Sequence, residues 1–223
     1  MAKKATILLV DDHSVLRSGC KELLIQAGFD VVGEATNGEE ARELFPKLSP
    51  EIVLIDLTMQ GMGGLECIRR ISSIDPSAGI IVLTMHDDPS FAARSIKSGA
   101  KGYVTKTSSP EILVQAIKKV LKGGAFFSPD IAHKLAVGSP LLHSDPISAL
   151  SNREFDIFIL LVEGYSTTEI AKNLSLTQKT VSNYLLKIKQ KLDVSSVAEM
   201  VKLAINHGVD KQNIINSSHQ SSV

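Results

Sequence analysis

The chain has 223 residues, 43% of them hydrophobic, and no formal net charge. That length and apolar content suit two ordinary cores, and no apolar run approaches the roughly 18 residues of a membrane helix, which excludes a spanning protein. Charge balance argues against nucleic acid only on average: between Glu169 and Asp193 the only charged side chains are Lys172, Lys179, Lys187, Lys189 and Lys191.

The start, Met1-Ala2-Lys3-Lys4, runs straight into a strand-like TILLV without the apolar region and cleavage site of a signal peptide, so a cytoplasmic location is expected. From there short β-branched runs alternate with longer helical patterns, the signature of βαβ units and a parallel sheet. Five strands are expected, at 6–10, 30–34, 52–55, 80–83 and 102–105, each suited to burial on both faces. The last helix of this α/β domain opens at Ser109-Pro110-Glu111 and stops at Gly123-Gly124, which ends the domain at 124. Cys20 and Cys67 fall on its helical segments, make no CxxC pair, and read as small buried hydrophobes. Residues 125–146 read as a linker, punctuated by Ser128-Pro129, Gly138-Ser139-Pro140 and Asp145-Pro146, with a short helical stretch near 131–136. Residues 147–210 carry only 3.6-period segments and read as a small helical bundle. The polar, Ser/Asn-rich residues 211–223 are expected to fray.

In a doubly wound sheet, ligands bind beyond the carboxyl ends of the strands, where strand order reverses. The first strand ends in Asp11-Asp12, the third in Asp56, the fourth in Thr84, and Lys106 follows the fifth. Three carboxylates on one rim repel one another unless a cation lies among them, and a hard divalent ion, Mg²⁺, suits an all-oxygen donor set. This chemistry points to phosphoryl transfer: a carboxylate can act as nucleophile while metal and ammonium neutralise the phosphoryl oxygens. Asp56 suits the nucleophile, Lys106 an ion pair to the phosphoryl group, and the Thr84 hydroxyl a hydrogen bond to it. Singly, each residue has a plainer reading as a helix cap, a strand end or a solvated lysine; their joint placement on one edge carries the argument.

The runs LLVDDH, VLIDLTMQGMGGLE, IVLTMHDD and AKGYVTK resemble the receiver domain of two-component response regulators. The resemblance implies a five-stranded α/β sheet of order 2-1-3-4-5, with Asp56 as phosphoacceptor and Asp11, Asp12, Asp56 and the Thr58 carbonyl as Mg²⁺ ligands. Thr84 and Lys106 would then stabilise the phosphoryl group, and Tyr103 would be the aromatic that reorients with Thr84. Gln60 departs from the family, which usually has proline there, so proline's fixed φ is lost from the loop. Thr58 and His86 flank the path of an attacking water. Like His13, His86 reads most simply as a solvated loop histidine.

In the second domain, 166–174 reads as a capped short helix, followed by a Ser175-Leu176 turn and a longer helix over 178–192: a helix-turn-helix layout. Val181, Leu185, Ile188 and Leu192 recur at core spacing. The other face carries Lys179, Ser182, Asn183, Lys187 and Gln190, with Leu186 an apolar exception. Such a face suits a major groove, although a solvated face of an ordinary bundle is the plainer alternative. The run from Leu150 to Val194 resembles the LuxR-type helix-turn-helix of the NarL/FixJ class, with Thr180-Val181-Ser182-Asn183-Tyr184 at the start of the recognition helix and Lys191-Leu192 at its end. That resemblance adds Thr180, Tyr184 and Lys191 to the DNA-facing set. Ser182 and Tyr184 stand where lysine and histidine are common, and Leu186 also departs in the groove-facing row, so base preference is open.

Together these features imply a DNA-binding transcriptional regulator, not a turnover enzyme. Phosphoryl transfer from a sensor histidine kinase would act on Asp56, and a homodimer would form on double-stranded DNA when phosphorylated. Two rivals stay open. An aspartyl-phosphate phosphohydrolase uses similar groups, but Leu57-Thr58 follows Asp56 without a second aspartate. A constitutive DNA-binding protein with a vestigial acidic pocket is the other.

Overall fold

A computed structural model describes residues 4–142, 146–207 and 209 of the chain, with the backbone alone for 137–142. It divides into two compact units, Met1–Met85 with Ala92–Ala132 and His86–Phe91 with His133–Val223. Residues 143–145 of the expected linker and the tail 211–223 lie outside the described residues.

The β-branched runs become strands of one parallel sheet: β1 (Thr6–Val10), β2 (Asp30–Ala35), β3 (Ile52–Ile55), β4 (Gly79–Thr84) and β5 (Gly102–Thr105). Their order is β2-β1-β3-β4-β5, followed by β6 (Phe126–Phe127). Between them run helices α1 (Ser14–Gln26), α2 (Gly38–Leu48), α3 (Gly64–Ile74), α4 (Pro89–Ser98) and α5 (Pro110–Leu121). Alternate residues explain the layering. Ile7, Leu9, Ile52, Leu54, Ile81 and Val104 pack with Leu24 of α1 and with Leu113, Ala116, Ile117 and Val120 of α5. Their neighbours Leu8, Val10, Val53, Ile55, Ile80 and Val82 point the opposite way and are fully buried as well, so both faces are covered.

The expected five-stranded sheet is corrected to six strands. β6 pairs Phe126 with Gly102 and Phe127 with Tyr103 at the edge of the sheet. Two residues are too few for any period to show, and they lie in the stretch read as linker. The next helix, α6 (Pro129–Leu142), is longer than the helical stretch expected near 131–136.

The second unit carries a short 3-10 turn (Pro146–Ala149) and helices α7 (Asn152–Val162), α8 (Thr167–Asn173), α9 (Gln178–Leu192) and α10 (Val197–Asn206). Ser151 with Glu154 and Ser166 with Glu169 form reciprocal capping boxes that start α7 and α8. Phe155, Phe158, Ile170, Val181, Ile188, Leu192, Met200 and Ala204 are buried and form its core, with Leu185 half-buried. Among the described residues no helix is long and apolar enough to cross a membrane.

Candidate functional site

Strand register assembles the first site. β1 leaves β2 on one side and β3 on the other, so the order reverses between β1 and β3. Val10 pairs with Ile55, and the Asp56 N–H donates to the Val10 carbonyl at 2.9 Å, which sets Asp11 and Asp56 side by side at the strand ends. Both are buried. At the neighbouring edge the Lys106 N–H donates to the Thr84 carbonyl at 2.8 Å, bringing the lysine onto the same rim. Its Nζ lies 2.7 Å from Asp11 Oδ2 and 2.7 Å from Asp56 Oδ2. The remaining oxygens are held by backbone donors: Asp11 Oδ1 accepts from His13 N at 2.8 Å, and Asp56 Oδ1 from Leu57 N at 2.7 Å.

Asp12 differs from its neighbours. Its Oδ2 accepts from the Gln60 N–H at 3.3 Å, but its Oδ1 is buried and accepts no hydrogen bond, although His13 Nδ1 is 2.8 Å away. Burial pushes the Asp12 carboxyl above its ordinary range. The charges of Asp56 and Asp11 add to that push, while His13 and the Gln60 N–H oppose it. For Lys106 burial also disfavours the charge, yet Asp56 and Asp11 together outweigh it and hold the ammonium above its usual value. Ligand atoms of Asp11, Asp12, His13 and Asp56 all fall within 4.8 Å of one another. A buried carboxylate oxygen that accepts no hydrogen bond, beside two buried carboxylates, fits a divalent cation.

Thr84 and Tyr103 are fully buried, whereas Thr58 and Gln60 are exposed on the loop after Asp56. A glycine is required where that loop turns into α3: a Cβ on Gly64 would stand 2.3 Å from the Asp56 carbonyl oxygen and 2.6 Å from Leu57 Cα. His86, read as solvated, is half-buried and stacks on Phe91 with ring centroids 4.0 Å apart. Two participants escaped the sequence reading. A lone loop histidine such as His13 carries no signal of its own, and the Gln60 contribution is a backbone N–H, one that the proline common in the family would lack.

The second site is α9 with its turn. Arg153 Nη2 donates to the Leu174 carbonyl at 2.6 Å and the Leu176 N–H to the Ala171 carbonyl at 2.8 Å, fixing the bend between α8 and α9. Ser175 adopts φ 52° there, and Thr177 caps α9 by accepting from Thr180 N. Lys179, Ser182, Asn183, Leu186 and Lys187 are exposed along one side of α9. Thr180 and Tyr184 are half-buried on its flank. Lys191 is the expected DNA-facing residue whose ammonium the fold holds inward: its Nζ lies 2.6 Å from Oε2 of the buried Glu154.

Comparison with known proteins finds a family for each half of the chain. Residues 7–118 match the response regulator receiver domain, and residues 148–204 match the bacterial regulatory proteins of the luxR family. Response regulator GacA of Pseudomonas aeruginosa is 37% identical over 206 residues, covering 91% of this chain and 96% of that protein. Response regulator UvrY of Escherichia coli K12 is 36% identical, covering 91% of this chain and 94% of that protein. Among solved structures, RcsB from Salmonella enterica serovar Typhimurium, bound to promoter P1flhDC in the presence of phosphomimetic BeF₃⁻, is 28% identical. It matches with a TM-score of 0.65 over 90% of this chain and 98% of that one. This chain is a member of the two-component response regulators of the NarL/FixJ class, a receiver domain joined to a LuxR-type helix-turn-helix with DNA-binding output.

Proposed function

We propose that Asp56 is the phosphoacceptor and that its phosphorylation by a sensor histidine kinase controls DNA binding through α9. The carrying observation is the buried Lys106 bridge, 2.7 Å to each of Asp11 and Asp56, beside a buried Asp12 oxygen that accepts no hydrogen bond. A carboxylate oxygen of Asp56 attacks the phosphorus of a phosphohistidine, the P–N bond breaks, and the leaving imidazole takes a proton. Lys106 transfers its ion pair to a phosphoryl oxygen, and Thr84 donates a hydrogen bond to another, with Tyr103 following it. Asp11, Asp12, Asp56 and the Thr58 carbonyl would hold Mg²⁺, which supplies charge neutralisation for the phosphoryl oxygens when bound. The same pocket slowly hydrolyses its own aspartyl phosphate, and no external substrate turns over.

On this reading the receiver spans 1–124, a linker 125–146 and the DNA-binding domain 147–210. The regulator acts in the cytoplasm as a homodimer when phosphorylated. Lys179, Thr180, Ser182, Asn183, Tyr184, Leu186 and Lys187 form the DNA face, with Lys191 beside it.

Intact-protein mass after incubation with Mg²⁺ and an acyl phosphate, run beside Asp56→Asn and followed by DNA pull-down, tests the reading. One added phosphoryl group, absent in Asp56→Asn and accompanied by tighter or more selective DNA binding, is expected. DNA binding that ignores phosphorylation would favour the constitutive rival, and turnover of a phosphate ester the phosphohydrolase.

A further inference from the structure

We infer that Leu186 is a specificity-determining residue that reads the C5 methyl group of a thymine in the major groove. The inference rests on the DNA-binding reading above and names one chemical feature of the sequence recognised.

Lys179, Ser182, Asn183, Leu186 and Gln190 recur at i, i+3, i+4, i+7 and i+11, and all are exposed on one face of α9. On the opposite side Val181, Ile188 and Leu192 are buried, so the helix has no freedom to turn this face inward. Leu186 is 59% exposed in the middle of the stripe, the only apolar side chain in it. Lys179 and Lys187 flank it, and α9 carries no acidic residue, so the surroundings are complementary to two phosphate backbones.

The bulky apolar group that base edges display in the major groove is the thymine methyl; cytosine has only a hydrogen at the equivalent carbon, and the other distinguishing groups there are hydrogen-bond donors or acceptors. Leucine offers neither donor nor acceptor. A leucine at the centre of a groove-entering stripe therefore discriminates by covering a methyl group, and it leaves a polar base edge dry and unpaired when thymine is absent. The polar neighbours Ser182 and Asn183 lie within one turn and can hydrogen-bond adjacent bases without competing for that methyl. Burial of one methyl group corresponds to roughly a fourfold change in affinity per half-site.

The experiment selects a binding site from random duplexes with the full chain, in the presence and absence of acyl phosphate and Mg²⁺. Each thymine of the selected site is then replaced singly by uracil, which deletes only the methyl group. Wild type is expected to lose roughly fourfold at one position of each half-site, and Leu186→Ala to bind thymine and uracil equally there while keeping its response at other positions. Leu186→Met, which retains an apolar side chain, should restore part of the discrimination. Full methyl sensitivity in Leu186→Ala, or no uracil-sensitive position in wild type, overturns the role of Leu186 while selective DNA binding stands. Absence of any selected site overturns the DNA-binding reading, and the role with it.

Discussion

At Lys106 a nearly buried ammonium lies between two buried carboxylates, an arrangement in which losing one partner strands the others. Removing one member of a buried ionic cluster costs about 3–5 kcal/mol. Lys106→Met is therefore expected to lower stability by roughly 3 kcal/mol at neutral pH without divalent ions, and added Mg²⁺ should restore part of it by replacing the missing charge. Thermal unfolding with and without Mg²⁺ measures this; equal losses in both would show that the carboxylates do not share a cation. The pH dependence has a definite sign. Because the folded state holds the Lys106 proton above the ordinary value of 10.5, the contribution is complete below about that pH and disappears as pH rises through the folded value. A second prediction concerns space instead of charge. In Gly64→Ala the new methyl meets backbone atoms at 2.3 and 2.6 Å, so the start of α3 must shift against the Asp56 loop. Destabilisation of about 1–3 kcal/mol is expected, together with a lower yield of acyl-phosphate labelling. An unchanged melting temperature would mean that the loop yields freely.

Among the elements, α9 is set by an ion pair that the sequence does not advertise. Lys191 reaches Glu154 on α7, and the same carboxylate oxygen accepts from Ser151 N at 2.7 Å, so one acidic residue both caps α7 and anchors the end of α9. Lys191→Met should cost about 1–2 kcal/mol, a modest figure because the lysine side chain remains 41% exposed and solvent screens the pair. Its effect on DNA should come through helix placement, leaving the slope of log K against log salt unchanged. Lys187→Ala, on the exposed face, should instead reduce that slope by about one. A reduced slope in Lys191→Met without loss of stability would place that ammonium on a phosphate. Since the Glu154 carboxyl is held below its ordinary 4.5, the stability difference should persist above that pH and fade as pH drops through the lower folded value. These contacts mark the boundary of what the amino-acid order reveals. β1, β3 and β4 were legible because continuous apolar runs bounded by polar residues have one good use in a sheet, and the rim followed because strand ends inherit the topology. β6 was not legible at two residues. The Lys191 partner lies 37 positions away with no periodic link, and the Gln60 donor belongs to the backbone.

For the whole molecule, a switch requires that occupancy at the Asp56 rim and occupancy at the α9 face depend on each other. Linkage makes that dependence reciprocal: whatever factor a phosphomimetic adds to DNA affinity, DNA must add to phosphomimetic affinity. Acyl phosphate is unsuited to the comparison, because labelling and hydrolysis run as a steady state and not as an equilibrium. BeF₃⁻, present in the promoter-bound RcsB structure, is suitable because it binds reversibly. Titration of DNA into the full chain with and without BeF₃⁻ and Mg²⁺ gives one factor, and titration of BeF₃⁻ with and without the selected duplex gives the other. Both are expected to fall in the range of about 5- to 150-fold that couplings of 1–3 kcal/mol produce, and to agree within error. Asp56→Asn should bring both factors to one. Factors of one in the wild type would show that the acidic rim and the DNA face are energetically independent. The regulator would then need a second chain, such as a dimer partner recruited only at higher concentration, to connect them; repeating both titrations across a hundredfold range of protein concentration separates that case from a missing switch.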